Sequence, residues 1–368
     1  LLPDIAPEKG VRVLRENGEL CIELHIKVMY GINIGVWTGN SDGPYGRFRL
    51  SPEDIAFLQA GGLWVSLYMP VDPVICDYYR RAGADAFITA SAAGTYESND
   101  KMRMVSVAHR GLRGEKYIPN TVEAVKAAYA AGAKWVEVDF NLLKNGRILC
   151  LHGRPDLRRM AGVDRDIVTL TEEDVASIDI GKSAKRTEPV HMPYIEDILA
   201  CVPKDCFIQC EIKAGYTKEF PGKFDAAVKA AGLSERNILV SAGNLEVRLL
   251  DFHRQKPKYR LMWLMAGMKK DTLEWDVDAA IARAKAAGVD IMCPGCGMAI
   301  ARKATPAIAD KIRAAGLDFR LFGVNTPEQL AYAVSMGATA FTTDNWFKSF
   351  EWAKEIPNLE LVRDIELP

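Results

Sequence analysis

From residue 104 onward, short apolar segments alternate with amphipathic segments along the chain. The apolar segments are rich in Val, Ile, Phe, Leu and Met and have the length of strands. They lie at residues 104–108, 135–140, 147–151, 206–213, 237–241, 259–264, 289–292, 319–324 and 339–343. Most of the amphipathic segments between them have apolar residues three and four positions apart and end in glycine, as helices do. The pattern predicts a repeated β-α unit.

Eight β-α units close most economically into a parallel barrel, so we predict an α/β fold of the TIM (β/α)8 class. A doubly wound open sheet is the competing arrangement. The barrel is favoured by recurrent junctions in which a helix ends in Ala-Gly and a strand follows. We expect the barrel to occupy residues 101–368.

Residues 1–100 contain a segment that resembles the end of the chain. The stretch SPEDIAFLQAGGLWVSLYMPVDPVICDYYRRAGADAFITA, from Ser51, aligns helix on helix and strand on strand with TPAIADKIRAAGLDFRLFGVNTPEQLAYAVSMGATAFTTD, from Thr305. Such similarity indicates duplication of barrel segments, but any two β-α units look alike, and both interpretations stay open. The segment is too short to close a second barrel. We therefore expect a partial β/α repeat with a structural or interface role, which offers a surface for a homo-oligomer.

Composition narrows the function classes. The chain has 368 residues, 49% of them hydrophobic, and its 47 basic and 48 acidic residues give a formal net charge of -1. We therefore expect a soluble protein with a large core and no overall field that attracts nucleic acid. No apolar run approaches the ~20 residues of a membrane span, and no signal peptide is visible. Because the chain begins at Leu1, it is compatible with a removed leader, and both the cytoplasm and export stay open.

Charged residues occur inside two of the predicted strands. In WVEVDFN, Glu137 and Asp139 leave the strand on one face, and in FIQCEIKAG, Glu211 and Lys213 do the same. Charges within apolar strands are costly unless they are paired or bound to a metal. Three carboxylates against one lysine leave excess negative charge, which a hard divalent cation, Mg²⁺ or Ca²⁺, would balance. An internal ion pair between Lys213 and one carboxylate is the competing interpretation.

Two of the five histidines follow predicted strands, His109 after VSVA and His152 after RILCL. The carboxyl ends of barrel strands open on one face, so these side chains and the charged strand residues should share one mouth. Arg110 adds a fixed fork of donors suited to phosphate oxygens. Cations that hold a phosphate and imidazoles that move protons at pH 7 together indicate phosphoryl chemistry. The sequence has no P-loop and no Rossmann fingerprint, which disfavours nucleotide hydrolysis.

Several motifs occur in a fixed order along the chain. They are HRG followed by PNT and a helix, GAKWVEVDFNLLKNGRILCLHG, FIQCEIK and RLFGVNTPEQLAYAVSMGATAFTTDN. From near Met104 to near Asn345, this order resembles the glycerophosphodiester phosphodiesterase family. The resemblance implies a TIM barrel of lipid and glycerol metabolism. Such a barrel would hydrolyse glycerophosphodiesters to glycerol 3-phosphate and an alcohol with a divalent cation, Ca²⁺ or Mg²⁺.

By position, the resemblance also implies a role for individual residues. They are the metal ligands Glu137, Asp139 and Glu211, the catalytic histidines His109 and His152, the phosphate contacts Arg110 and Lys213, and the supporting Asn120. In the family-like mechanism, one imidazole helps a glycerol hydroxyl attack phosphorus, through a cyclic phosphate, while the other protonates the leaving alkoxide. The sequence does not decide which histidine does which. We expect His109 to be the base and His152 to be the acid.

Three motifs depart from the family pattern. Pro119 stands where the family has the Glu of Glu-Asn-Thr, Gly153 where it has the Asp of His-Asp, and FGVN at residues 322–325 where it has Trp-Thr-Val-Asn. These changes leave the alcohol and the metal open. The alternatives are a sphingomyelinase D-like or lysophospholipid phosphodiesterase, whose barrels do not share the Glu-Ile-Lys strand, and a non-catalytic barrel that binds a phosphate ligand.

Overall fold

The structure, a computed structural model, divides the chain into two units, Leu1–Lys101 and Met102–Pro368. It describes residues 29–33, 52–60, 64–69, 86–89, 102–114, 116–265, 276–301, 304–356 and 359–362. The first unit contains the strands β1 (Met29–Asn33), β2 (Trp64–Met69) and β3 (Ala86–Thr89) and the helix α1 (Pro52–Ala60). The three strands form a parallel sheet with β2 in the middle.

Parallel strands form a ring in the second unit. In chain order, the strands of the second unit are β4 (Met102–His109), β5 (Trp135–Leu142), β6 (Ile148–Cys150), β7 (Phe207–Ile212), β8 (Ile238–Ala242), β9 (Arg260–Leu264), β10 (Ile291–Cys293), β11 (Asp318–Phe319), β12 (Leu321–Phe322), β13 (Ala340–Thr343) and β14 (Leu359–Leu361). All except β6 and β14 take part in the ring, and β14 pairs with β4 outside it.

A single interrupted strand closes this ring. Only Arg320 separates β11 from β12; β11 pairs with β10, and β12 pairs with β13. Counted as one strand, these two segments complete a barrel of eight parallel strands. The predicted TIM barrel is therefore confirmed, and the open doubly wound sheet is excluded.

Helices connect the barrel strands. They are α2 (Val122–Ala130), α3 (Arg154–Ala161), α4 (Glu172–Ser177), α5 (Ile195–Leu199), α6 (Phe220–Ala230), α7 (Leu250–Gln255), α8 (Val277–Ala286), α9 (Cys296–Ala301), α10 (Pro306–Ala314), α11 (Pro327–Ser335) and α12 (Trp346–Lys354). Side-chain caps fix where they begin: Thr121 accepts from the amide of Ala124 at the start of α2, and Thr326 does the same for α11. Within the described part of the chain, we find no helix whose length and hydropathy would let it cross a membrane.

Alternate side chains of each barrel strand face two different cores. Val136 and Val138 of β5 lie in the large core that includes apolar residues of the helices. Trp135 belongs to a second core inside the barrel. Its ring stacks on that of Phe207 with centroids 4.7 Å apart, which fills the amino-terminal end of the barrel. Because successive strand residues alternate, the two carboxylates of β5 point into the barrel above this aromatic pair.

β6 is not a barrel strand, although the sequence pattern counts residues 147–151 among the strands of the repeat. It pairs antiparallel with β5 and leads the chain back along it. His152 therefore does not reach the mouth from the carboxyl end of a parallel strand, and the prediction that it follows a strand of the β-α repeat is wrong. The return strand brings it there instead: the amide of Leu151 donates to the carbonyl of Asp139 at 3.0 Å.

The first unit repeats the strand pairing found near the end of the chain. Leu67 of β2 lies opposite Phe87 of β3, and Leu321 of β12 lies opposite Phe341 of β13. In the alignment of the two similar segments, Leu67 falls on Leu321 and Phe87 on Phe341, so both pairs share one register. This agreement supports duplication. The part of the segment between β2 and β3 lies outside the described residues, and the structural or interface role of residues 1–100 stays a prediction.

Candidate active site

The turn after β4 holds Arg110 in the left-handed backbone region, which is uncommon for residues other than glycine. Its φ is 62°, and Gly111 follows with a φ of 82°. A Cβ on Gly111 would lie 2.6 Å from the carbonyl carbon of Ala124, so only glycine allows α2 to approach. The turn directs the amide of Arg110 to Glu137 Oε2, to which it donates at 3.1 Å. The His-Arg-Gly motif thus lies beside the carboxylates of β5.

Register between neighbouring strands brings the predicted carboxylates together. Asp139 of β5 lies opposite Glu211 of β7, and His109 of β4 lies opposite Glu137 of β5. Glu137, Asp139 and Glu211 each offer an oxygen within 4.8 Å of the other two. The first two are buried, and Glu211 is partly exposed. The three residues form one acidic cluster, which we call the carboxylate triad.

Two cations balance part of the charge of the triad. Lys213 Nζ lies 2.6 Å from Glu211 Oε1 and 3.3 Å from Asp139 Oδ1. Arg110 Nε lies 3.0 Å from Asp139 Oδ2. The internal ion pair that competes with the metal interpretation is therefore present. Among the residues that the structure describes, however, no lysine or arginine forms an ion pair with Glu137.

Burial and crowding set the protonation of the triad. Burial, together with Asp139 and Glu211, raises the pKa of Glu137 well above its usual range. Burial, and then the neighbouring Asp139, raises the pKa of Glu211 to about 7. Burial would raise the pKa of Asp139 as well, but Lys213 and Arg110 hold it below its usual value. A further positive charge among these oxygens would stabilise their ionised forms.

Asn120 supports the central carboxylate of the triad. Its Nδ2 donates to Asp139 Oδ2 at 2.8 Å, and its Oδ1 accepts from the amide of Asp139 at 3.0 Å. The residue is 1% exposed and has a φ of 63°, a conformation that asparagine adopts more readily than most residues. The backbone amide of Asn120 donates to the backbone carbonyl of Arg110 at 3.0 Å. The loop that carries Pro119 is therefore tied to both β4 and β5.

Asp344, the carboxylate that holds His109, is a site residue that the sequence patterns did not identify. Asp344 Oδ1 lies 2.5 Å from His109 Nδ1, and Arg113 donates to the same oxygen. The amide of Asp344 is held in turn by Asn325 Oδ1 at 2.8 Å. Burial would raise the pKa of Asp344, but His109 and Arg113 lower it to about 2. With Nδ1 engaged, His109 Nε2 lies 3.7 Å from Glu137 Oε2. The position of Asp344, directly after β13, is the signal in the sequence that could have identified it as a site residue.

His152 lies toward β7 rather than toward β13, at the edge of a cavity that Lys213 also lines. Its Nδ1 lies 3.8 Å from Asp156 Oδ2, four residues later in α3. Arg110 Nη1 donates to the same oxygen at 3.0 Å, so Asp156 joins a predicted phosphate contact to a predicted catalytic histidine. Burial, helped by Lys213 and Arg110, lowers the pKa of His152 to about 4. Burial also lowers the pKa of His109. Both shifts favour the neutral form of the imidazole at pH 7.

The donor set of the triad fits a hard divalent cation. In the part of the chain that the structure describes, Glu137 Oε1 is buried without a hydrogen-bond partner, and buried Asp139 Oδ1 has only the ion pair with Lys213 at 3.3 Å. A buried carboxylate oxygen without a partner, such as Glu137 Oε1, is costly unless a cation binds it. Mg²⁺ and Ca²⁺ both prefer oxygen ligands of this kind, and the donor set alone does not choose between them.

Comparison with known proteins agrees with this geometry. A model of the glycerophosphoryl diester phosphodiesterase family matches residues 109–347, which is more than half of the chain. The chain belongs to this family. Its members are phosphoric diester hydrolases, so the family and the enzyme class predicted from the sequence are confirmed.

Two curated relatives and one solved structure illustrate the similarity. The glycerophosphodiester phosphodiesterase of Caldanaerobacter subterraneus subsp. tengcongensis is 28% identical over 166 residues, which are 44% of this chain and 66% of that protein. The enzyme of that name from Bacillus altitudinis is 25% identical over 243 residues, 64% of this chain and 93% of its own. A phosphodiesterase from Oleispira antarctica, in complex with the product sn-glycerol-3-phosphate, matches with a TM-score of 0.58 and 18% identity. That match covers 68% of this chain and 96% of the other, and it shows a shared fold.

Proposed function

We propose that the chain hydrolyses glycerophosphodiesters to glycerol 3-phosphate and an alcohol. The observation that carries this proposal is the carboxylate triad, with His109 and His152 beside it, at the mouth of one barrel. Membership of the glycerophosphoryl diester phosphodiesterase family supports the reaction. The complex of the Oleispira antarctica phosphodiesterase with sn-glycerol-3-phosphate supports the identity of the product.

Glu137, Asp139 and Glu211 are the proposed ligands of a divalent cation, Ca²⁺ or Mg²⁺. When bound, such a cation supplies positive charge against the phosphate oxygens as charge develops on them. Arg110 and Lys213 are the proposed phosphate contacts. Both carry several donors at the edge of the triad, and neither is fully buried.

His109 is the proposed general base. Asp344 engages its Nδ1, so Nε2 is the nitrogen that takes the proton from a hydroxyl of the glycerol group. The hydroxyl oxygen then bonds to phosphorus, and the bond from phosphorus to the oxygen of the leaving alcohol breaks. The product of this step is a cyclic phosphate. The negative charge of Asp344 stabilises the imidazolium that forms on His109, as the carboxylate of a catalytic triad does.

His152 is the proposed general acid, which gives its proton to the leaving alkoxide. Its pKa of about 4 would leave it neutral at pH 7, but the negative charge of a bound phosphodiester raises the pKa of a neighbouring imidazole. In the second step, water attacks the cyclic phosphate and gives a proton to His152, while His109 returns its proton to the glycerol oxygen. Both histidines then have their starting protonation.

Release of glycerol 3-phosphate from a panel of glycerophosphodiesters, with EDTA or with added Ca²⁺ or Mg²⁺, tests this proposal. We expect no release in EDTA and recovery with at least one of the ions. Glu137→Gln should abolish the recovery, because it removes a ligand charge from the triad. Glu355→Gln removes the same charge from an exposed position outside the mouth and should change nothing.

Three outcomes would contradict the proposal in different ways. Equal turnover in EDTA would remove the role of the metal. Turnover of lysophospholipid or sphingomyelin alone would favour the sphingomyelinase D-like alternative. Binding of glycerol 3-phosphate without turnover of any diester, in the presence of both ions, would favour a non-catalytic barrel.

A further inference from the structure

A cavity of about 590 Å³ opens beside the triad. Its walls come from the end of β5, the start of α3, the turn at residues 166–168, the end of β7 and the π-helical turn Leu245–Leu249. His152 lines this cavity, whereas His109 lies toward Asp344 after β13. If His152 protonates the leaving alkoxide, as in the proposed function on which this inference rests, the leaving alcohol occupies this cavity.

Most charged side chains that line the cavity are already neutralised. Arg154 Nε lies 2.7 Å from Asp164 Oδ1, and its Nη1 lies 3.9 Å from Asp166, the acidic residue of the lining. Lys213 lies between two carboxylates of the triad, at 2.6 Å and 3.3 Å. These pairs leave little net charge to select a substrate.

Arg248 is the exception. It is half-buried, and among the described residues it forms no ion pair with any carboxylate. Its Nη1 donates to the carbonyl of Ile212 at 2.8 Å, which fixes the guanidinium beside the end of β7 and next to Lys213. The strand and the π-helical turn therefore hold a guanidinium at the cavity wall with its remaining donors available.

A partly desolvated guanidinium with no carboxylate in contact is costly: burial lowers the pKa of Arg248, and the charge of Glu211 offsets only part of this shift. A carboxylate or phosphate on a ligand would remove this cost and accept two parallel hydrogen bonds from the planar fork. We infer that Arg248 binds an anionic group on the leaving alcohol. The preferred substrates are then glycerophosphodiesters whose alcohol carries a carboxylate or a phosphate.

Glycerophosphoserine and glycerophosphoethanolamine form a matched pair for the test, because their leaving alcohols differ by one carboxylate. For the metal-loaded wild-type protein, we expect kcat/KM to be at least about tenfold higher for glycerophosphoserine, the size of one charge-assisted hydrogen bond. Arg248→Gln should bring the ratio of the two kcat/KM values to about 1. Arg254→Gln, which removes an exposed arginine from α7 of the same helical segment, should leave the ratio unchanged.

Arg248→Lys gives a second readout in case the Gln variant folds poorly, because it keeps the charge and loses the fork. It should leave a ratio between those of the wild type and of Arg248→Gln. A wild-type ratio near 1 would overturn the inference. An equal loss of kcat/KM on both substrates in Arg248→Gln would also overturn it, because it would mean that Arg248 binds the scissile phosphate. If both diesters are hydrolysed and the ratio of their kcat/KM values is near 1, only the inference about Arg248 fails and the proposed function is unaffected. No hydrolysis of either diester would overturn both.

Discussion

Asp139 is the residue around which the mouth is arranged. It is fully buried, yet Lys213 and Arg110 keep its pKa low, and Asn120 fixes its side chain and its amide. Three side chains from two loops thus converge on one carboxylate. Such a buried network is stable only when every member is satisfied, which ties the folding of the loops after β4 and β7 to the chemistry of the site.

At this scale, we predict that His109→Ala and His152→Ala each lower kcat for a glycerophosphodiester by at least ~100-fold, as loss of a general acid or base does. His191→Ala, at an exposed position on another part of the barrel, is the matched control and should keep wild-type turnover. Near wild-type kcat in either of the first two variants would rule out the two-histidine mechanism.

Metal affinity should depend on pH through Glu211. A carboxylate ligand must be deprotonated to bind, and the pKa of Glu211 is raised to about 7. Affinity should therefore rise with pH, and binding of Ca²⁺ or Mg²⁺ should be about tenfold weaker at pH 6 than at pH 8 in a calorimetric titration. A dissociation constant that stays the same across this range would show that Glu211 is not a ligand.

The sequence could predict the triad but not the groups that hold the histidines. Alternation within β5 and β7 places Glu137, Asp139 and Glu211 on the inner face, whatever the loops do. Asp344 meets His109 only after the ring closes, and Asp156 meets Arg110 only because β6 turns back along β5. These contacts depend on closure and on loop direction, which hydrophobic periodicity does not encode.

At the scale of elements, spacing carries information that periodicity lacks. Only residues 143–147 separate β5 from β6, too few for the crossover that parallel neighbours require. The sequence LKNGR in this gap is typical of a hairpin. The antiparallel return of β6 was therefore readable in the sequence, although a count of strands alone assigns it to the β-α repeat. The interruption of one barrel strand at Arg320 has no comparable signal.

Packing between elements gives a prediction for stability at Asp225 of α6. Its buried carboxylate accepts from Lys229 Nζ at 2.9 Å, Lys256 Nζ at 2.7 Å and the Tyr259 hydroxyl at 2.9 Å. Burial would raise the pKa of Asp225, but the hydrogen bonds from Lys256, Lys229 and Tyr259 lower it to about 2. The contribution of the charged form is thus present above the unfolded pKa, near 4, and is lost as pH falls toward 2.

Asp225→Asn should lower the free energy of unfolding in urea by about 2 kcal/mol at pH 7. The difference from wild type should shrink as pH is lowered from 4 toward 2. Asp278→Asn removes an exposed carboxylate that pairs with Lys311 and should have an effect near zero. An equal effect of both substitutions would contradict the role of the buried cluster.

At the scale of the whole molecule, the barrel was predictable because its β-α unit recurs along most of the chain. Each unit repeats one pattern of apolar residues, and eight copies allow few other closed arrangements. The cavity beside His152 was not predictable in this way, because its walls come from five separate segments. We therefore expect the substrate preference of the proposed enzyme to depend on these connecting segments rather than on the repeat.

Phosphorus NMR of the metal-loaded protein with glycerophosphoethanolamine tests the central proposal most directly, because it shows which bond to phosphorus breaks. We predict that the resonance of the diester is replaced by that of glycerol 3-phosphate as ethanolamine is released. Formation of phosphoethanolamine, or a diester resonance that persists in the presence of Ca²⁺ and Mg²⁺, would contradict it.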